Sequence, residues 1–398
     1  IFNKVKLKSN ECILFYPGDY NNDDLRRFIC DPNFIWLFNH NVSNILIMYF
    51  NNKFYHHFIF NNQWIDNENI NNFIKEYSIF NLSIDEFRFK ITKIKKIYLS
   101  FKNINKLDYL NLSRKIKIDN KTIIDICHQK RILKEEFEIN SIANACYWNM
   151  KAILQVLFYI KNNKVKYCYQ IVNKYKSYLG EYNIDYLAYQ PICTSGKDNS
   201  ILHSHNYNKK IIDNSLILLD IGCKYNYYCS DITRTIPVSG KFNKIQKDIY
   251  SIVLKMNLYG ISNSMNYKQF SDIHDACLNI LYNGLLKLGI ITNIQQEIEK
   301  KNCMNLFMPH FLGHHIGIEV HDIQLSDTLK TNNVITIEPG IYFYNLQKKN
   351  KYVVKSVWNK YKNIGGIRIE DVILIQNKYS IVLSNFPKNI TEIETIMQ

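Results

Sequence analysis

The sequence predicts a mixed α/β (α+β) chain in two domains, a smaller α/β domain over residues 1–130 and a larger one over 131–398. Three observations carry this. The chain has 398 residues and is 46% hydrophobic, more than one core usually holds. Short apolar runs and Asn-rich stretches alternate with helical patches as far as Cys127. A long amphipathic segment then begins, and from Tyr189 onward strand-like runs and Gly-containing turns dominate.

In chain order, Cys12–Tyr16 reads as a strand ending at Pro17-Gly18. Asn44–Phe50 and Phe54–Phe60 read as strands of a hairpin around Asn51-Asn52. His56 and His57 are adjacent on the second, so they point to opposite faces and are poorly placed to share a metal. The boundary falls near Cys127–Ile132. Beyond it Ile139, Ile142, Ala143, Cys146, Met150, Ile153, Leu154 and Leu157 recur every three or four residues. They predict one apolar stripe on a helix whose first turn holds Glu135, Glu136 and Glu138, at the positive end of its dipole. A second helix is expected over Val165–Leu179.

Composition narrows the function classes. The formal charge is +15, but the lysines are scattered and the densest runs, Lys90–Lys96 and Lys348–Lys355, are short. A solvated surface accounts for them better than a nucleic-acid footprint, so no nucleic-acid partner is expected. No apolar run reaches membrane-spanning length, and the first ten residues contain no signal-type apolar segment. None of the ten cysteines forms a C-x-x-C pair. Reduced core thiols are the expectation, in a cytoplasmic setting.

The chemistry concentrates after residue 215. SLILLDIGC, Ser215–Cys223, is an apolar strand carrying Asp220, and YYCSDITRTIPV, Tyr227–Val238, carries Asp231. A two-residue turn at Tyr225-Asn226 would pair Lys224 with Tyr227 and set the two aspartates directly opposite each other. Their repulsion then calls for a shared proton or a cation. FMPHFLGHHIGIEVHD, Phe307–Asp322, gathers His310, His314, His315 and His321. His310 and His314 have the spacing of a helical zinc site, but Pro309 and Gly313 oppose a helix there. VITIEPG places Glu338 on a strand that ends at Pro339-Gly340. GIRIEDVILI, Gly366–Ile375, reads as one strand with Arg368 and Glu370 on a shared face. A carboxylate within an apolar strand is costly unless paired or metal-bound.

Taken in order, Asp220, Asp231, His314, Glu338 and Glu370 resemble the ligand set of the pita-bread metallopeptidases. Within that group the chain is most similar to the Xaa-Pro aminopeptidase (aminopeptidase P) branch. The segments ILH (201–203), LLDIGCKYNYYCSDITRTIPVSGKF (218–242), HFLGHHIGIEVHD (310–322), TIEPGIY (336–342) and GIRIEDVILI carry the likeness. It is specific over Tyr189–Ile375 and collinear but weaker over the first domain, which resembles a creatinase-type domain.

The resemblance implies a pita-bread catalytic domain and a pair of divalent metal ions. Asp231 and Glu370 would bridge them, Asp220 would complete one, and His314 with Glu338 the other. Four carboxylates and one imidazole favour a hard ion, foremost Mn²⁺. It further implies that His203, His310 and His321 contact substrate, that Arg368 hydrogen-bonds Asp220, and that Tyr189 belongs to the same relay. The activity implied is removal of an N-terminal residue ahead of proline by a hydroxide bridging the metals, with Glu338 shuttling the proton and His321 facing the oxyanion. Substrates would be peptides with proline second. Xaa-Pro dipeptidase is the alternative and a ligand-depleted binding protein a more distant one. By analogy, a homo-oligomer (dimer or tetramer) is expected. Two positions depart from the family pattern. His315 replaces a bulky apolar residue, which predicts a more polar pocket wall, and 348–362 is an unusually basic loop.

Overall fold

The computed structural model describes residues 5, 7–17, 31–40, 42, 45–58, 68–101, 110, 112, 115–184, 186–267 and 269–398. The chain divides into two compact units, 1–131 and 132–398. In the first, a six-stranded sheet has Glu11–Phe15 near its centre, antiparallel to Ile45–Phe50 and parallel to Lys96–Leu99. Lys53–Phe58 returns from Ile45–Phe50 through Asn51 and Asn52, both at positive φ, the conformation a tight hairpin demands and Asn tolerates. His56 is buried on that strand. Gly18, Asn44, Ile59 and Phe60, all part of the expected elements, lie outside the described residues.

The second unit opens with the helix Glu136–Asn162, against which Cys168–Glu181 packs. Its buried face includes Glu138, Ser141, Ala145, Asn149 and Val156, so it is rotated from the stripe that apolar residues alone suggest. The polar members are satisfied there. Asn149 donates to the Ile221 carbonyl at 2.8 Å, and Glu138 accepts from the Tyr228 hydroxyl at 3.0 Å. The helix thereby seats the strands that follow.

Those strands set the site. Leu216–Ile221 lies between Ile192–Ser195 and Ile232–Pro237, antiparallel to both. The turn of the hairpin is Asn226-Tyr227, both at positive φ, rather than Tyr225-Asn226. Moving the turn by one residue shifts the register by two, so Asp220 faces Thr233 instead of Asp231. Parity is kept, and the two aspartates remain on one face as diagonal neighbours.

Gly366–Ile375 is two strands, not one. Gly366–Arg368 pairs with Gly340–Tyr342, and Asp371–Ile375 pairs with Val334–Ile337. One register runs through both pairs, and the ribbon breaks where Glu338-Pro339 meets Ile369-Glu370. At the break the Glu370 N–H faces away from its own ribbon and donates to the Thr233 carbonyl at 3.1 Å. Behind it, Arg234 donates to the Glu370 carbonyl and to Asp371, both at 2.7 Å, and Lys388 reaches the other Asp371 oxygen at 2.7 Å. The helices Lys244–Asn263 and Phe270–Lys287 bury Ile249, Val253, Ile273 and Leu281 in the core of this unit. No described helix is long and apolar enough to cross a membrane.

Candidate metal centre

The diagonal pair Asp220 and Asp231, the loop histidine His314 and the two glutamates at the ribbon break all line one cavity of about 480 Å³. His203, His310, His321, Tyr189 and Arg368 line it too. All ten residues singled out from the sequence therefore converge. The four acids and His314 arrive from different elements: the 216–221 strand, the residue just before Ile232–Pro237, the irregular loop 307–322, and the ends of the two broken strands. That loop is not helical, so His310 and His314 do not share a helix face.

Within the cavity Asp231, His314 and Glu370 form the tightest group, each offering a donor atom within 4.8 Å of the others. His314 Nε2 lies 3.5 Å from Asp231 and 3.6 Å from Glu338. His314 Nδ1 faces the His315 carbonyl at 3.0 Å. With Nδ1–H donating there, Nε2 is the nitrogen that faces the carboxylates and the one a metal would take once its proton is displaced. Asp220 is held by Arg368 Nη2 at 2.6 Å. The Tyr189 hydroxyl lies 2.5 Å from an oxygen of Asp220 and 2.5 Å from an oxygen of Asp231. One phenol proton serves only one acceptor, so this crowding of oxygens is relieved by an added proton or a cation.

Charge pressure appears throughout. Burial raises the carboxyl of Asp220, lifts that of Glu338 to about 7 and drives that of Glu370 well above the usual range. Burial works against a charged His314, yet Asp231 and Glu338 outweigh it and lift the imidazole to about 9. Without metal, then, the cluster retains protons that divalent cations would displace. Oxygen-rich donors with one imidazole suit a hard or borderline divalent ion, so the residues present fit such ions.

Three residues that sequence reasoning passed over complete the arrangement. The Tyr342 hydroxyl accepts from Arg368 Nη1 at 2.9 Å and meets His310 Nε2 at 2.9 Å. Burial and the nearby Arg368 hold His310 neutral, down to about 3, so its Nε2 accepts the Tyr342 proton. Thr233 donates to Glu370 at 2.6 Å and accepts from Arg368 Nε at 3.2 Å. His205, also overlooked, lines the cavity and is exposed. Thr233 was within reach of a sequence argument, because it alternates with Asp231 on one strand. Tyr342 gave no comparable signal. His315 does not form a more polar pocket wall. It is buried on the far side of the loop, its backbone bridged to Ile335. Burial and Lys134 lower its pKa to about 4, and its Nδ1 finds no partner. None of the lysines in 348–362 lines the cavity.

The sequence model of metallopeptidase family M24 matches residues 140–377. The chain belongs to metallopeptidase family M24. Its relatives include a probable Xaa-Pro aminopeptidase of Aspergillus niger, 34% identical over 239 residues, covering 52% of this chain and 51% of that protein. Another from Metarhizium acridum is 31% identical, covering 70% of this chain and 60% of that one. The chain thus spans about half to two-thirds of the length of the curated relatives it matches. Among solved structures, Escherichia coli aminopeptidase P with the inhibitor Pro-Leu superimposes with a TM-score of 0.83 at 22% identity, over 98% of this chain and 95% of that one. Pseudomonas aeruginosa aminopeptidase PepP gives 0.82 at 20% identity with the same coverage. The M24 chain therefore has the pita-bread fold of aminopeptidase P.

Proposed function

We propose that this M24 chain is a metal-dependent exopeptidase that removes an N-terminal residue standing before proline. The observation that carries the reading is the meeting of Asp220, Asp231, His314, Glu338 and Glu370 in one cavity. The names of its relatives, probable Xaa-Pro aminopeptidases, support the same substrate class.

In this reading Asp220, Asp231, His314, Glu338 and Glu370 would hold the divalent metal, for which Mn²⁺ suits the oxygen-rich donors. When bound, it would supply an acidified water and polarise the scissile carbonyl. Arg368 and Tyr189 keep Asp220 oriented. His321 donates to the carbonyl oxygen as charge develops on it. Glu338 carries a proton to the proline nitrogen, which departs as a secondary amine. The acid-rich wall draws the free α-amine of the substrate, which restricts cleavage to the first residue. A proline at the second position removes the amide N–H on which general peptidases rely. The nine described cysteines are free and buried, which supports a reducing, cytoplasmic setting.

The test is hydrolysis of Xaa-Pro-Yaa tripeptides beside Xaa-Pro dipeptides, after chelation and again after adding Mn²⁺. Metal-dependent release of Xaa from tripeptides is expected. Preference for the dipeptide would reassign the chain as an Xaa-Pro dipeptidase. No cleavage of either by metal-loaded protein would overturn the peptidase reading.

A further inference from the structure

Two of the three cavity histidines of the loop, His314 and His321, are held in different ways. His314 is fixed by the strand beside it: its N–H donates to Thr336 Oγ1 at 3.0 Å, and its carbonyl accepts from the Thr336 N–H at 2.8 Å. His321 makes no hydrogen bond of its own among the described residues. Its ring stands edge-on to His314, centroids 4.4 Å apart, and is otherwise open to solvent.

What holds His321 must act through its neighbour. The Asp322 N–H closes the loop onto the His315 carbonyl at 2.8 Å. The Asp322 carboxylate meets Lys134 Nζ at 2.9 Å, and both side chains are almost wholly buried, 2% and 0% exposed. Lys134 is itself anchored, its N–H donating to the Asn332 carbonyl at 2.8 Å. The loop packs directly on this pair, because a Cβ at Gly317 would collide with Asp322 Oδ2 and stand 2.9 Å from Lys134 Cε. A buried ion pair gains little net stability over an apolar replacement of equal size, but it fixes geometry. Lys134 also lies before the stretch matched by the family model, which starts at residue 140.

We infer that Lys134 is a positioning residue for His321, acting through Asp322. It sets where the imidazole stands over the cavity, whereas the backbone of His314 is held separately by Thr336. The inference rests on the proposed peptidase activity for its kinetic readout and on none of it for its spectroscopic one.

The experiment is a double-mutant cycle on Lys134 and His321. Lys134→Met should lower kcat on an Xaa-Pro-Yaa peptide by about 10- to 100-fold, the usual cost of losing a residue that orients an active group. Bound Mn²⁺ per chain should stay unchanged. In a His321→Ala background Lys134→Met should cost nothing further, because the group it positions is gone. Lys134→Met alone leaves Asp322 buried and uncompensated. Lys134→Met with Asp322→Asn removes both charges and carries the same expectation should the single variant fail to fold. The second readout needs no turnover. In histidine-labelled protein the His321 ring signals should shift or broaden in either variant while those of His203 stay in place. Equal losses of kcat with and without His321, or unmoved His321 signals in a folded variant, would overturn the inference. An inactive wild type would instead count against the peptidase reading, and the ring signals would still decide this one.

Discussion

Tyr342→Phe isolates the relay behind Asp220. The hydroxyl accepts one hydrogen bond from the Arg368 guanidinium and donates another to His310. Its removal leaves Arg368 Nη1 buried without that acceptor. A hydrogen bond to a charged group contributes about 1.5–3 kcal/mol and a neutral one about 1 kcal/mol, so a loss of about 2.5–4 kcal/mol is expected. For a unit of this size that lowers Tm by roughly 4–10 °C. Arg368 still holds Asp220 through Nη2, so metal should remain bound. His310 loses the donor that fixes its Nε2, and kcat/KM should fall about tenfold. Gly340→Ala provides an independent arm. A Cβ there collides with the Tyr342 hydroxyl, so it should reproduce the kinetic loss with the phenol still present. Calorimetry and tripeptide kinetics measure both. Wild-type kcat/KM and Tm in Tyr342→Phe would refute the relay, and a loss in Gly340→Ala alone would assign the effect to displacement of the Tyr342 ring.

Three further expectations follow from the same geometry. Glu370→Gln removes a carboxylate from the tightest donor group, and elemental analysis should find fewer than two ions per chain, with activity down by more than about 100-fold. Thr233→Val keeps the volume but deletes the donor to Glu370, so Mn²⁺ affinity by isothermal titration should weaken about 10- to 100-fold without loss of fold. The third concerns pH. Burial opposes the charge on Asp371, but Arg234 and then Lys388 outweigh it and hold its carboxyl below the usual range. Its contribution is complete above the unfolded value near 4 and is lost as pH falls through the lower folded value. The Tm gap between wild type and Asp371→Asn should therefore shrink as pH drops below about 4; a gap that widens would refute the assignment.

Residue types at the site were legible because charge is conspicuous in apolar strands. Asp220 and Asp231 stand out in SLILLDIGC and YYCSDITRTIPV, and a buried carboxylate without a partner is too costly to ignore. The faces they occupy were legible too, since a period of two survives a register shift of two. Register itself was not. Tyr227 takes positive φ, which is costly for a bulky side chain, and nothing local in YNYY distinguishes a turn at 225-226 from one at 226-227. The stripe of the long helix was drawn from apolar residues, whereas Asn149 and Glu138 are buried because Ile221 and Tyr228 satisfy them. The family pattern puts His315 in the pocket wall, but it is buried away from the cavity that His314 lines, since adjacent residues in an irregular loop need not face the same way. In each case the deciding contact comes from a distant segment.

The pairing of the second ribbon is what makes its two glutamates useful. The Ile369 N–H still donates to the Pro339 carbonyl at 3.3 Å, so Glu370 and Glu338 face each other as a non-hydrogen-bonded pair whose N–H groups point away from the ribbon. The outward Glu338 N–H joins the Leu312 carbonyl at 2.7 Å, and that of Glu370 joins Thr233 on the other hairpin. That hydrogen bond and the Thr233 hydroxyl bring Glu370 to the strand that follows Asp231. Arg234 closes the junction from behind by binding the Glu370 carbonyl and the Asp371 carboxylate together. Pro339 interrupts the facing strand, as it has no N–H to continue the ladder. The alternation Asp231, Thr233, Thr235 thus has a dual use: the aspartate faces the cavity, while the threonines join the broken ribbon through Glu370 and through the backbone of Arg368. Pairing within the ribbon and the joint to the first hairpin therefore use different N–H groups, and the joint is what gathers the carboxylates of the two hairpins.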